Sequence, residues 1–466
     1  MTAELREACD VFGIVGRPDA AALTAEALFS LQHRGQESAG IAALHEGQIL
    51  LHKGMGLVNE VFGADEVKGL EGESAIGHVR YSTTGASRPE NAQPLYVRAH
   101  LGPFALAHNG NLVDALAARD RLEREGAIFQ TTTDTEVVAH LMARSKAPDL
   151  SGAFQDAIGR LSGGFAFAVL TPEGVLGARD PFGIRPLVLG DLGGMPCVAS
   201  ETCAFTAIGA EFVREVAPGE VLRLDASSGV QVLQAGHPER EKLCAFELIY
   251  FARPDSRFAG ESIYQARRRL GQQLAVEAPA PADVVLGVPD SSLPAAEGYA
   301  TELHLPQELG LVKNRYVGRT FIHPAQHSRE SGVQRKLTVV AEVVRGRRVA
   351  LIDDSLVRGT TMRHLTRLLR DAGATEVHVR IASPRYLHPC HYGIDTSNRD
   401  ELIAGVAQED ALRALIGADS LRFLSAQGVL RATGRPDHCL ACFTGEYPVP
   451  VPGEDAEAGG GDARDE

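Results

Sequence analysis

The chain has 466 residues, 44% hydrophobic and 23% charged, with a formal net charge of -14. That length exceeds one compact core and suits two domains of ordinary globular composition. An acidic chain repels a phosphate backbone, which argues against nucleic acid as a partner, so any phosphate site must be built locally from loop amides and a few arginines.

The opening MTAELREACD has no apolar core segment of a secretory signal. No run approaches the roughly 20 apolar residues of a membrane helix. A cytoplasmic protein with no membrane partner is expected, and its seven cysteines are not expected to pair as disulfides.

In chain order, AALTAEALFSLQH (21–33) has helical spacing of apolar residues, AIGHVRYS (75–82) and FALAHNGNL (104–112) read as strands, and TDTEVVAHLMAR (133–144) is again helical. Thr133, with Glu136 three residues on, is the expected N-cap of that helix. GFAFAVLT (164–171) and PLVLG (186–190) are further strands. Many strands with few helices predict stacked antiparallel sheets covered by helices. A boundary is expected in QVLQAGHPEREK, near residues 230–242, giving domains at 9–240 and 241–452. Beyond it the style changes. DVVLGVP (283–289) is a buried-strand pattern, with a helix starting near Pro294. GRRVALIDD (346–354) is a strand, MRHLTRLLRDAGA (362–374) a helix stopped by Gly373, and EVHVRIAS (376–383) a strand. This βαβ rhythm predicts a parallel sheet with ligands at the strand C-termini. GEDAEAGGGDARDE (453–466) is read as a disordered acidic tail.

Cys9 stands just before VFGIVG (11–16). A cysteine so near the start can become residue one after processing, and its own α-amine then serves as base for the attacking thiolate. LQHRGQESAG (31–40), GHVRYSTTG (77–85), AHNGNL (107–112) and TTTDTE (131–136) follow in that order. Together these segments resemble the glutaminase domain of class II amidotransferases. The resemblance implies an N-terminal-nucleophile fold, an αββα sandwich of antiparallel sheets, with residues 1–8 as a propeptide. It implies Cys9 as nucleophile and Asn109 and Gly110 as oxyanion hole. Arg80 and Thr83 would bind the glutamine carboxylate, Asp134 its ammonium, and Arg34 would line the pocket near the nucleophile. The residue types suit these tasks: a guanidinium for a carboxylate, an acid for an ammonium, and two N–H donors for the oxyanion.

In VALIDDSLVRGTT (349–361) a hydrophobic strand delivers Asp353 and Asp354, and a loop of hydroxyls, arginine and glycine opens a helix. Loop amides at a helix N-terminus make an anion site, and paired carboxylates suit ribose hydroxyls or a magnesium ion. The G-x-x-x-x-G-K-[ST] loop of ATPases is absent from the sequence. The segment resembles the diphosphate-sugar motif of type I phosphoribosyltransferases, which implies their parallel-sheet fold. By that resemblance Asp353 and Asp354 address ribose and Mg2+, while Ser355, Arg358, Gly359, Thr360 and Thr361 cradle a 5′-phosphate. GVPDSS (287–292) resembles the family's second loop, with Ser291 near magnesium. KNRYVGRTFI (313–322) matches a further family segment, and Lys313, Arg315, Tyr316 and Arg319 are its candidates for the pyrophosphate, on a loop that would shut out water.

Cys439 and Cys442 form CLAC, and Cys244 and Cys390 lie far upstream. Four thiolates take zinc or a 4Fe–4S cluster, and spacing does not choose between them. The contexts EKLCAFELIYFARPDS, LHPCHYGIDTS and CLACFTGEYP resemble the iron–sulfur branch of the glutamine phosphoribosylpyrophosphate amidotransferases, which favours 4Fe–4S. That resemblance spans residues 9–450. It implies conversion of glutamine, phosphoribosyl pyrophosphate and water to 5-phosphoribosylamine, glutamate and pyrophosphate, the first step of de novo purine synthesis. It also implies small-molecule substrates, feedback by purine nucleotides and a homo-oligomer, a tetramer. Cys197 and Cys203 match no motif and are expected in the core. Two rivals are weighed. A class II amidotransferase with another acceptor would carry a sugar-isomerase or ATP-pyrophosphatase domain, against which VALIDDSLVRGTT speaks. A nucleotide-sensing regulator would have lost the nucleophile or the oxyanion motif, and both are intact.

Overall fold

The computed structural model describes residues 9–81, 87–258, 260–314, 337–394, 396, 402–406 and 408–452. Residues 1–8, Thr83, Arg315, Tyr316, Arg319 and the acidic tail 453–466 therefore lie outside the described residues. The chain forms two compact units. Among the described residues, one holds those of 9–243, 390–394 and 447–452; the other holds those of Cys244–Pro389 and Thr396–Glu446.

The first unit is built on two antiparallel sheets. The seven-stranded sheet runs, edge to edge, Glu211–Glu215, Val188–Leu192, Met195–Ala199, Asp10–Ile14, Ser74–Arg80, Ser38–His45 and Gln48–Met55. The six-stranded sheet runs Gly229–Gln234, Val221–Asp225, Gly174–Arg179, Gly163–Thr171, Gly102–Leu112 and Leu95–Ala99. Their inner faces share one core in which Val11, Ile76 and Val198 meet Ala107, Ala166 and Ala168. Small residues on one side let two sheets close to packing distance. The outer face of the six-stranded sheet puts Phe104, Phe165 and Phe167 under Val138, Met142 and Phe154 of the covering helices. On the other sheet the helix Ala20–Ser30 lies over Gly77, where a Cβ would stand 2.5 Å from Thr24 Cγ2. The layers are therefore helix, sheet, sheet, helix, as the sequence predicts.

Two local expectations need correction. The helix expected at 21–33 is Ala20–Ser30. The helix expected from Thr133 is Thr135–Ala143, with Asp134 rather than Thr133 at its N-cap and no side-chain cap bond. Thr133 Oγ1 pairs instead with Thr131 Oγ1 at 3.0 Å, and the Glu136 carboxylate accepts the amides of Gln130 and Thr131 at 2.8 and 2.7 Å. Glu136 thus closes the preceding loop instead of completing a capping box. Asn109 and Gly110 stay in the ladder opposite Ala166 and Phe165. Only glycine permits this: Gly110 has φ +140°, and a Cβ there would sit 2.1 Å from the Gly164 carbonyl oxygen.

The second unit has a four-stranded parallel sheet in the order Val284–Gly287, Arg348–Asp353, Glu376–Ile381 and Ser420–Phe423. Val349, Leu351, Val377 and Val379 fill its core against Met362, Leu365 and Leu369 of the helix Thr360–Asp371. That helix starts two residues before the expected 362 and stops before Gly373, which takes φ +100°. Strand Arg348–Asp353 ends at the acid pair, and Gly359, at φ +71°, opens the helix. Among the described residues no helix is long and apolar enough to cross a membrane.

Candidate functional site

Cys9 leads into the strand Asp10–Ile14, whose register sets Asp10 opposite Val79. Its buried Sγ donates to the Tyr81 carbonyl at 3.4 Å, beside Arg80. Burial pushes the Cys9 thiol up to about 11; Arg80 and the Tyr81 hydrogen bond pull it down, while Asp134 and Asp10 push it further up. Cys9 is thus within electrostatic reach of Arg80 and Asp134, and is a thiol rather than a thiolate without a base.

Beneath it lies an ion network that the motifs do not reveal. Arg34, fully buried, reaches Asp10 Oδ1 with Nε at 2.7 Å and Glu201 Oε1 with Nη1 at 2.8 Å. His33 Nε2 meets the same Glu201 oxygen at 2.8 Å. Burial pushes the His33 ring down, but the Glu201 carboxylate outweighs it and holds His33 above its ordinary value. Each buried acid thus has the Arg34 guanidinium as partner, and Glu201 the His33 ring as well, as buried carboxylates require. Asp10, His33 and Glu201 offer ligand atoms within 4.8 Å of one another, yet the Arg34 guanidinium already stands on both carboxylates where a metal ion would sit. Arg34, expected to line the pocket, has its guanidinium committed to this network. The one sequence signal was an acid at the head of an otherwise apolar strand.

Asn109 is fully buried. Its Oδ1 accepts from Arg185 Nη2 at 3.1 Å and its Nδ2 donates to Ser200 Oγ at 3.2 Å. Ser200 Oγ also accepts from the Val11 amide at 3.0 Å, which ties Asn109 to the strand after Cys9. Asp134 Oδ2 accepts from the Leu112 amide at 2.9 Å, and its Oδ1 lies 3.6 Å from His108 Nδ1. Burial pushes the Asp134 carboxyl up; His108 and the Leu112 amide more than offset this and hold it below its usual range. His108 stacks on Phe167 with ring centroids 4.4 Å apart. A cavity of about 190 Å³ beside Asp134 is lined by Asn111, Leu112, Thr132, Thr133 and His391. Arg185, Ser200 and His108 were missed by the sequence reading.

In the second unit Ser292 Oγ donates to Asp353 Oδ1 at 2.8 Å and accepts from the Asp354 amide at 3.1 Å. Ser355 Oγ donates to Asp354 Oδ1 at 2.9 Å, and Ser291 Oγ donates to Asp354 Oδ2. Both carboxyls are pushed up, Asp353 by burial and then by the charge of Asp354, Asp354 by burial. Acids held this way favour a cation or hydroxyl donors as company. Arg267, almost fully buried, pulls Asp354 down and is anchored on the carbonyls of Leu248, Tyr250 and Ala252 at 2.9, 2.7 and 2.7 Å. Sequence could not single it out from the run Arg267–Arg269. Ser355, Arg358 and Gly359 form the loop after the acids, and Thr360 and Thr361 the first turn of the helix. Lys313 Nζ pairs with Asp290 at 3.0 Å, next to Ser291.

Three candidate cluster cysteines sit in this unit. Cys244 and Cys439 pair as a parallel bridge, with the Ala245 amide donating to the Cys439 carbonyl at 3.2 Å. The Cys442 carbonyl accepts from Leu387 and His388 at 2.9 and 3.0 Å. All three are buried, which suits soft thiolate donors shielded from water. In the other unit Cys390 Sγ accepts from the Tyr392 amide at 3.4 Å, and burial pushes its thiol up. An amide donor to sulfur is the kind of contact that steadies a ligating thiolate. Cys197 and Cys203 are buried on a strand and a helix, as core residues.

The glutamine amidotransferase domain family matches residues 78–207, and the phosphoribosyl transferase domain family matches residues 258–383. The chain is 50% identical over 457 residues to an amidophosphoribosyltransferase of Synechococcus elongatus, covering 96% of this chain and 92% of that one. It is 50% identical over 454 residues to that of Bacillus subtilis, at 96% and 95% coverage, and 48% identical over 458 residues to that of Archaeoglobus fulgidus, at 96% and 100%. Among solved structures it matches the B. subtilis glutamine phosphoribosylpyrophosphate amidotransferase complexed with ADP and GMP, with a TM-score of 0.89, 49% identity, and 95% and 98% coverage. A structure described as the allosteric regulatory enzyme of purine biosynthesis matches at 0.90, with 50% identity and 95% and 97% coverage. On this identity across nearly its whole length, the chain belongs to the amidophosphoribosyltransferase family.

Proposed function

We propose that the chain converts glutamine, phosphoribosyl pyrophosphate and water to 5-phosphoribosylamine, glutamate and pyrophosphate, as the first step of de novo purine synthesis. Removal of residues 1–8 frees the Cys9 α-amine, residues 9–240 act as glutaminase, and residues 241–452 as phosphoribosyltransferase. The observation that carries this reading is a buried thiol beside Arg80, with Asn109 tied to its strand through Ser200.

In the glutaminase, Arg80 and Thr83 hold the substrate carboxylate and Asp134 its ammonium. The Cys9 proton passes to the α-amine and the thiolate attacks the carboxamide carbon. The oxyanion is met by Asn109 Nδ2 and the Gly110 amide. The amine returns the proton to the departing nitrogen, ammonia leaves, and water hydrolyses the thioester to glutamate. Ammonia then displaces pyrophosphate from C1 in the second site. Ammonium has no lone pair to attack with, so the transfer must avoid protonation. Asp353 and Asp354 face the positive charge that develops at the ribose, Ser355, Arg358, Gly359, Thr360 and Thr361 hold the 5′-phosphate, and Lys313, Arg315, Tyr316 and Arg319 meet the pyrophosphate and exclude water.

Oxygen donors at Asp353, Asp354 and Ser291 suit Mg2+, which would neutralise charge on the leaving pyrophosphate. Cys244, Cys390, Cys439 and Cys442 would hold a 4Fe–4S cluster with a structural or regulatory role. The relative bound to ADP and GMP supports purine nucleotides as regulators, and a cytoplasmic homotetramer fits the family.

The test is release of labelled pyrophosphate from phosphoribosyl pyrophosphate, supplied with glutamine or with ammonia. Glutamine hydrolysis without pyrophosphate release would sink the proposed acceptor.

A further inference from the structure

We infer that Arg185 is a positioning residue of the oxyanion hole, whose guanidinium decides which end of the Asn109 amide faces the nucleophile's strand. The inference rests on the proposed oxyanion role of Asn109. A side-chain amide is nearly symmetric in shape, but its two ends act oppositely: the NH2 stabilises an oxyanion and the carbonyl repels it. Asn109 is fully buried, so its neighbours set the orientation.

Ser200 cannot make the choice, because a hydroxyl donates or accepts as required. Arginine only donates. With Arg185 Nη2 at 3.1 Å from Asn109 Oδ1, the reversed amide would set N–H against N–H in a buried site. The oxygen is therefore held at Arg185 and the NH2 points to the opposite side, where Ser200 Oγ receives it at 3.2 Å and binds the Val11 amide at 3.0 Å.

Arg185 is itself bracketed. Its amide donates to Asp180 Oδ2 at 3.0 Å and its carbonyl accepts from Arg179 Nε at 2.9 Å. The same Asp180 carboxylate accepts from the Phe165 amide at 3.3 Å, and Phe165 is the ladder partner of Gly110. One buried acid thus ties the bracket that aims the side-chain donor to the strand opposite the backbone donor. These contacts join positions 76 residues apart, which explains why motif reading passes over Arg185.

The test compares Arg185→Met, Arg185→Lys and Asn109→Ala in the full chain, using glutamine, glutamate and the aldehyde analogue glutamate γ-semialdehyde, which forms an oxyanion-bearing adduct with the thiol. Arg185→Met is expected to lower the glutaminase kcat about 100-fold, the order of losing one oxyanion donor, with KM moving less than about threefold. Inhibition by the aldehyde should weaken by the same factor as kcat while inhibition by glutamate holds. Arg185→Lys, which keeps the charge and one donor, should recover about tenfold of the loss. An unchanged kcat in Arg185→Met overturns the inference, as do equal losses for aldehyde and glutamate. If Arg185→Met does not fold, the aldehyde-to-glutamate ratio in Arg185→Lys decides in the same way. Early melting of both variants makes Arg185 a scaffold residue and also overturns it. If Asn109→Ala keeps full kcat, the oxyanion reading itself fails; if Asn109→Ala is dead and Arg185→Met normal, only the role of Arg185 fails.

Discussion

Cys9 Sγ donates to the backbone carbonyl of Tyr81 at 3.4 Å, one residue beyond Arg80. The contact holds the thiol at the mouth of the strand pair Asp10–Ile14 and Ser74–Arg80. With burial pushing the thiol to about 11, very little thiolate exists near neutral pH. A base at the same residue answers that need, and the terminal amine of a chain beginning at Cys9 is such a base.

Cys9→Ala should therefore abolish synthesis of 5-phosphoribosylamine from glutamine and spare synthesis from high ammonium at alkaline pH. Product assays with the two nitrogen sources check this. Loss of both activities in a protein with an unchanged melting curve would refute the division of labour between two sites.

A pH profile should separate the base from the acid. The α-amine must be neutral to accept the thiol proton, so kcat/KM for glutamine should fall as pH drops through about 7.7–8.0, the ordinary range of that group. Asp134 is held below the usual carboxylate range, so it stays ionised and adds no acid limb above pH 5. His108→Phe removes a group that lowers it and leaves burial to push the carboxyl up. KM for glutamine should then rise, and rise more at pH 5.5 than at pH 8, in steady-state assays.

Chelation of divalent cations should stop pyrophosphate release with either nitrogen source and leave glutamine hydrolysis running. Asp353→Asn should mimic chelation by removing one of two adjacent carboxylates. Retention of magnesium-dependent synthesis in that variant would show that the acid pair has another role.

Arg34→Met tests the ion network beside Cys9. Breaking a buried pair by deleting one partner costs about 3–5 kcal/mol, and here Asp10 and Glu201 would both lose a guanidinium contact. The glutaminase unit should unfold at markedly lower denaturant concentration, by circular dichroism. A shift below about 1 kcal/mol would mean that water or His33 replaces the cation.

Cys442→Ser should lower bound iron and sulfide, measured chemically and by visible absorption in protein purified without oxygen. Zinc in the parent protein, with no iron, would overturn the cluster assignment.

Much of this architecture was already spelled out by neighbouring residues. The parallel strand ending in Asp353 and Asp354, and the glycine that opens the next helix, follow from a buried apolar run meeting an anion-binding turn, all within 13 residues. The layered antiparallel unit followed in the same way from short alternating segments. Helix edges were less secure, because Glu136 found partners at Gln130 and Thr131 in place of a capping box.

What no local pattern contained was the company each charge keeps. Arg34 meets Glu201 across 167 residues, Arg185 meets Asn109 across 76, and Arg267 is the one member of an arginine run that turns inward beneath Asp354. Residue order and periodicity specify strands, turns and motif spacing, because those depend on near neighbours. Which buried cation settles on which acid or amide depends on how remote strands are brought together. Burial then makes an unmatched charge too costly to leave, and so makes the pairing specific.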